Sequence, residues 1–177
     1  MLRATQLIGF GAGSAGFSLL SQITDYTSTT NIGTMTGSGG LAAAFDGTTA
    51  QAAGSCASAA PGGASPASVG KQWAGGLSKT IGRFIVYDPS NEGHASSAAS
   101  VTLSLYGKNG APASPTDGTL LFTSPSQSYV IGTTSYDTTA VNGIDVSSAY
   151  THHWITLTPS GTSSTLYIAE VVFYEWL

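Results

Sequence analysis

Beyond residue 69 the chain falls into short runs in which apolar and polar positions alternate with a period of two, separated by Gly, Pro, Asn and Asp. Such runs predict strands joined by turns. Val101, Leu103 and Leu105 alternate with Thr102, Ser104 and Tyr106, the pattern of a half-buried strand. Ile155 and Leu157 alternate in the same way with Trp154, Thr156 and Thr158. The run Ile81 to Tyr87 is β-branched and aromatic and is apolar on both faces at its centre, as a covered inner strand is. Near the C-terminus, Leu166, Ile168, Val172, Tyr174 and Trp176 share one register, and Tyr167, Ala169, Val171 and Phe173 the other. Thr165 to Trp176 is therefore expected as one strand with two apolar faces. Thr119–Thr123 and Tyr129–Gly132 are shorter candidates, and Asn109-Gly110 marks a loop that permits positive φ. After residue 41, helical period is confined to one turn at Leu41–Phe45. Strand number and spacing predict an all-β chain folded as an antiparallel sandwich.

Composition divides the rest. Residues 1–40 are rich in Gly, Thr and Ser and end in the run Thr34-Met35-Thr36-Gly37-Ser38-Gly39-Gly40, which reads as an extended attachment or oligomerisation arm. Residues 50–70 are small and of low complexity, too poor in large side chains to build a core. The expected organisation is an arm over 1–40 and a sandwich over 41–177.

At 177 residues the chain suits one domain. Charged residues are only 8% of it, and five Lys and Arg against nine Asp and Glu leave a net charge of −4. No basic stripe exists to displace counterions, so nucleic-acid binding is excluded. The surface must be wetted by hydroxyls and backbone, since Ser and Thr supply about a quarter of the chain. No apolar run approaches the length of a membrane span, so no membrane partner is expected. The opening residues superficially suggest a signal peptide, but glycines interrupt the apolar middle, and they read as mature sequence. Cys56 is the single cysteine, which excludes an intrachain disulfide and reads as incidental.

Motifs for catalysis are poorly supported. Gly11-Ala12-Gly13-Ser14-Ala15-Gly16 matches G-x-G-x-x-G, but no helix or βαβ unit follows, and Asp25 comes too early to meet a ribose. His152 and His153 are adjacent, so on a strand they point to opposite faces. His94 lies in a loop, no G-x-S-x-G elbow supports a serine nucleophile, and zinc-ligand spacing is missing. A non-enzymatic role is expected, without a certain cofactor.

From residue 41 four blocks, in order, resemble the discoidin-like, galactose-binding-like domains of the coagulation factor 5/8 type C superfamily. Leu41-Ala42-Ala43-Ala44-Phe45-Asp46-Gly47-Thr48-Thr49 resembles their opening A-x-D-G-x-T segment. Gly76-Leu77-Ser78-Lys79 with Ile81 to Tyr87 resembles D-L-G-K and the strand after it, with glycine where the family has aspartate. Val101 to Tyr106 with Gly107-Lys108-Asn109-Gly110 resembles the strand that ends in G-S-N-D-G. Trp154 to Leu157 and Ile168 to Tyr174 resemble the closing Y-V-R-L and A-E-I-x-x-Y pair. The resemblance implies an eight-stranded jelly-roll β-sandwich with neighbouring termini.

It also implies a structural calcium held by Asp46 and Glu170 with the carbonyls of Ala43 and Thr48, a set of oxygens that suits a hard cation. The other reading of Asp46-Gly47 is a turn in which Asp46 caps backbone amides. The His-and-two-basic-residue sugar pattern of fucose lectins has no counterpart in this chain. Trp73, Tyr129, Tyr136 and Tyr150 are candidates for stacking on a sugar, and the alternative for each is to cover the core or an interface.

A Gly/Thr-rich start joined to a hydroxyl-rich, nearly uncharged sandwich is similar in style to tailed-phage virion proteins. That likeness makes the first expectation a non-enzymatic structural protein of the virion, in capsid decoration or in a tail or fibre. Its partners would be other virion proteins and copies of itself in a homo-oligomer. The alternative is a carbohydrate-binding adhesion module that holds a surface glycan.

Overall fold

The computed structural model describes residues 19–96, 100–128, 135–138, 143–162 and 165–177. Thirteen strands run through them: β1 Leu20–Gln22, β2 Thr30–Gly33, β3 Gly37–Ser38, β4 Ala57–Ala59, β5 Ala67–Gln72, β6 Ile81–Tyr87 and β7 Ser100–Lys108, followed by β8 Thr119–Thr123, β9 Gln127–Ser128, β10 Ser135–Asp137, β11 His152–Pro159, β12 Leu166–Ile168 and β13 Glu170–Trp176. All pairings between them are antiparallel. One sheet has the order β1-β13-β6-β10, the second β2-β5-β11-β7-β8 with β9 also on β7, and a small third β12-β4-β3. The expected all-β antiparallel sandwich is present. Ile81, Phe84, Val86, Val171 and Phe173 of the first sheet pack with Val69, Leu103, Leu105, Ile155 and Leu157 of the second in one buried cluster.

The strands with clear period appear where the pattern puts them: β6 and β8 coincide with the expected runs, and β7 and β11 extend theirs. Leu41–Phe45 is a short 3-10 turn. Tyr129–Gly132 and the glycine motif at 11–16 lie outside the described residues. The C-terminal run is not one strand. It breaks at Ala169, where β12 on β4 gives way to β13 on β6, and Ala169 N donates to Tyr87 O at 2.9 Å. Both its faces are apolar because the segment changes sheets.

Two expectations from composition are corrected. Residues 20–38 are not an arm: β1 pairs with β13, β2 with β5 and β3 with β4, and Met35 is fully buried. Their glycines serve close approach; at Gly33 (φ +129°) a Cβ would lie 2.2 Å from Ser68 O. Residues 50–70 likewise join the core through Cys56, Ala57, Ala67 and Val69. Small residues fit there because large side chains come from neighbours; a Cβ on Gly70 would sit 2.4 Å from Trp154 Cβ.

Candidate functional site

The 3-10 turn ends at Asp46 and carries it to the start of β13, where Glu170 is 4% exposed. Gly47 N donates to Glu170 Oε2 at 3.0 Å, and Thr48 N donates to Asp46 Oδ1 at 2.8 Å. The capping turn is thus real, and it also brings two carboxylates together. Gln51 joins them: its Nε2 lies 2.8 Å from each Asp46 carboxylate oxygen and 3.3 Å from Ala43 O. Its Oε1 is buried without a hydrogen-bond partner.

Behind this cluster stands Lys71, on the inner strand β5 between β2 and β11 and only 4% exposed. Its Nζ lies 2.6 Å from Asn31 Oδ1, 4.3 Å from the Phe45 ring centroid and 4.7 Å from that of Tyr26. Burial pushes the lysine down to about 8, against the opposing pull of Glu170. Burial pushes Glu170 up to about 7, and the charge of Asp46 adds to the rise.

Among the described residues, no group of three or more His, Cys, Asp and Glu side chains could hold a metal. Soft-metal and zinc chemistry therefore has no ligand set there. What the pocket offers is two carboxylates, a carbonyl and a neutral amide. Those oxygens already accept from Gly47 N, Thr48 N and Gln51 Nε2, and the orphaned Gln51 Oε1 lies on the amide end turned away from Asp46. Carboxylates and carbonyls are the ligand types a hard ion such as calcium takes, but here hydrogen bonds occupy them, and Thr48 enters through its N–H.

A second concavity, of about 700 Å³, lies beside the third sheet. Its lining comes from four places in the chain: Thr34 to Ser38, Ser58 to Pro61 with Pro66, Pro115, and Thr165 with Tyr167. Ser58 Oγ donates to Ser38 Oγ at 3.0 Å, tying β4 to β3. Pro115 is fixed through its carbonyl, which accepts from Trp154 Nε1 at 2.7 Å and Thr156 Oγ1 at 2.6 Å. Asp117 braces the same loop, accepting from Lys108 Nζ at 2.6 Å and Ala113 N at 2.7 Å. Tyr167 is set by its backbone, whose N donates to His94 O at 2.9 Å. No lining residue carries a charge.

The expected stacking aromatics do not gather at this groove. Trp73 is 1% exposed; its Nε1 donates to His153 Nδ1 at 2.8 Å, and its ring lies against Tyr26 and Phe173. Tyr136 packs on Phe84 and Phe122, and its hydroxyl is buried. Tyr150 is half-buried, edge-on to His153. These three cover the core, while Tyr129 lies outside the described residues. Tyr167 is the aromatic that the sequence reading missed; its run reads as plain strand, and only the assembly of four segments makes it a groove wall.

The other candidates for chemistry are structural. Burial pushes His153 down to about 3 and lowers His94 as well. Cys56 is buried, donates to Ala53 O at 3.2 Å, and burial pushes its thiol up to about 11, the state of an inert thiol. Among the described residues no helix is long and apolar enough to cross a membrane.

No protein-family model matches the chain, and no curated protein matches it. Solved structures do. The family 32 carbohydrate-binding module of NanJ from C. perfringens, determined in complex with galactose, aligns at TM-score 0.54 and 14% identity over 89% of this chain and 100% of that one. A fucolectin from striped bass (Morone saxatilis) serum aligns at 0.54 and 13%, over 83% of this chain and 46% of that one. The family 62 module of Xyl5A from Clostridium thermocellum aligns at 0.52 and 21%, over 83% and 94%. At such identities the likeness shows the fold, a galactose-binding-like jelly roll. By their names these neighbours are carbohydrate-binding modules and a lectin, and nothing in the comparisons points to a phage particle.

Proposed function

We propose that this chain is a non-catalytic carbohydrate-binding module that takes an uncharged glycan in the groove walled by Tyr167, Pro115 and the hydroxyls of β3 and β4. The observation that carries this reading is the groove's chemistry. A volume of about 700 Å³ suits a small oligosaccharide, and its lining combines Thr34, Thr36, Ser38, Ser58 and Thr165 with one aromatic ring and three prolines. Hydroxyl side chains both donate and accept, so they match the mixed polarity of sugar hydroxyls. Tyr167 and the prolines offer apolar surface to the C–H face of a pyranose. The groove has no cation to balance a carboxylate or sulfate, so acidic glycans are disfavoured. The carbohydrate-binding names of the structural neighbours support the same reading at the level of fold. No observation favours a place in a capsid or tail, or assembly as a homo-oligomer.

The calcium expected at Asp46, Glu170, Ala43 and Thr48 rests on the resemblance alone and forms no part of this reading. These residues join the opening turn to β13 without it, through the hydrogen bond from Gly47 N to Glu170 Oε2.

The test is a glycan array followed by calorimetry on the hits. Neutral glycans should bind, and Tyr167→Ala should weaken the best of them at least tenfold while leaving the thermal melt within a few degrees of wild type. Binding restricted to acidic glycans, or unchanged in Tyr167→Ala, overturns the assignment of the groove. No binding to any glycan overturns the function.

A further inference from the structure

We infer that Thr156 is a positioning residue for the glycan: from the outer face of the larger sheet it holds the Pro115 wall of the groove in place, with Asp117 as a second brace of the same loop. This rests on the groove as the glycan site and adds to it two residues that do not line it.

In β11, Ile155 and Leu157 enter the core, so Trp154 and Thr156 stand on the opposite face of the sheet. Such a face ordinarily meets water, yet both residues are 0% exposed. The loop 109–118 between β7 and β8 covers them, and it comes so close that a Cβ on Gly118 would sit 2.5 Å from Trp154 Cη2. None of residues 109–118 is itself buried. A segment that puts no side chain into a core takes its position from polar ties. The tie next to the groove is Pro115 O, which accepts from Trp154 Nε1 at 2.7 Å and from Thr156 Oγ1 at 2.6 Å. A carbonyl has two lone pairs, so both are taken and none remains for a sugar. What Pro115 can give the groove is its ring, and the two donors decide where that ring stands. Trp154 is itself fixed, stacked on Tyr106 with centroids 5.8 Å apart. The far side of the loop is held by Asp117 Oδ2, which accepts from Lys108 Nζ at 2.6 Å and Ala113 N at 2.7 Å. Neither Thr156 nor Asp117 lines the groove. Each acts through the fraction of molecules whose wall is in place, and apparent affinity falls in step with that fraction.

The experiment uses the full chain and, as probes, the neutral tetraoses of glucose, xylose, mannose and galactose. It reads calorimetry, thermal melts and the hydrogen exchange of the Trp154 indole N–H. Thr156→Val keeps the branched shape and leaves Pro115 O its bond from Trp154. Its melt should stay within a few degrees of wild type, while the tightest of the four sugars is weakened about two- to tenfold, the worth of one net hydrogen bond. Thr156→Ser, which keeps the hydroxyl, should restore binding. Asp117→Ala should weaken the same sugar over the same range; Lys108 and Asp117 are 34% and 35% exposed, so water replaces the lost bonds. With no sugar present, the indole hydrogen should exchange faster in Thr156→Val and Asp117→Ala than in wild type. If Tyr167→Ala weakens the sugar but these two variants bind it as wild type does, neither residue positions the wall, and the groove reading stands alone. Equal indole exchange in all three chains overturns the inference in the same way. Should Thr156→Val melt far lower, Asp117→Ala decides by itself. If wild type binds none of the four sugars, or Tyr167→Ala binds unchanged, the groove reading fails and takes this inference with it.

Discussion

His153 sits in the core beside Trp73, neutral because burial removes the water that a charged imidazole needs. Its pKa falls to about 3, well below the ordinary value of 6.5. Between those values the unfolded chain takes up a proton that the folded chain refuses. Stability is therefore full above about pH 6.5 and falls as the pH drops toward 3, by about 1.4 kcal/mol per unit from this residue. His94 and His152 are lowered too and act in the same direction. Asn in place of His153 keeps an acceptor for Trp73 Nε1 but cannot titrate. We expect His153→Asn to flatten the loss of stability between about pH 6.5 and 4, read from urea midpoints at several pH values. Equal slopes in variant and wild type would show that His153 is not held neutral. Single residues were unevenly legible. Asp46 and Glu170 were singled out only because their segments resemble a known family, and a lone glutamine fits no motif, so Gln51 was not. Trp73 looked like a sugar platform because residue type says nothing of what covers a ring; Tyr26 and Phe173 do.

Strands were legible where their own side chains carry the burial. β6, β7, β8 and β11 alternate or run apolar, and period alone placed them. β4 and β5 did not show, because their neighbours supply the bulk. In β5 the sequence Ala67-Ser68-Val69-Gly70-Lys71-Gln72 has no apolar period, yet five of its six residues are buried. Gly70 explains why: it pairs with Trp154, and a Cβ there would meet His153 O at 2.2 Å and Trp154 Cα at 2.5 Å. These are backbone and Cβ-level contacts, so no flexible side-chain end can swing away. Gly70→Ala must then push β5 off β11 at the centre of the larger sheet. Overpacking of this kind costs about 1–3 kcal/mol or more. A melting temperature within a degree of wild type would mean that the two strands separate more freely than their pairing implies.

At the scale of the molecule the main misreading was the arm. Gly and Thr over residues 1–40 gave no hydrophobic period, and chain without period reads as unable to fold by itself. That inference is sound for an isolated segment and fails when the segment borrows a sheet. β1, β2 and β3 each add to a strand supplied by a later part of the chain, on β13, β5 and β4. Between them Ile23 and Met35 enter the core, and Tyr26 packs on Trp73 and Phe45. An independent arm predicts that the chain cut to residues 41–177 melts like the full protein. The fold predicts otherwise. Emptying a buried Met site alone costs about 2–5 kcal/mol, against a total of about 5–15 kcal/mol for a native protein. Loss of three strands as well leaves little to hold the sandwich, and it uncovers Lys71 by removing both Asn31 and Tyr26. The chain without residues 1–40 should therefore lack a cooperative thermal transition by circular dichroism, while the chain without residues 1–18, which retains every described strand, should keep one. A cooperative melt of residues 41–177 near the full-length temperature would return β1 to β3 to the status of an appendage, and would place the stability of this jelly roll wholly in the later strands.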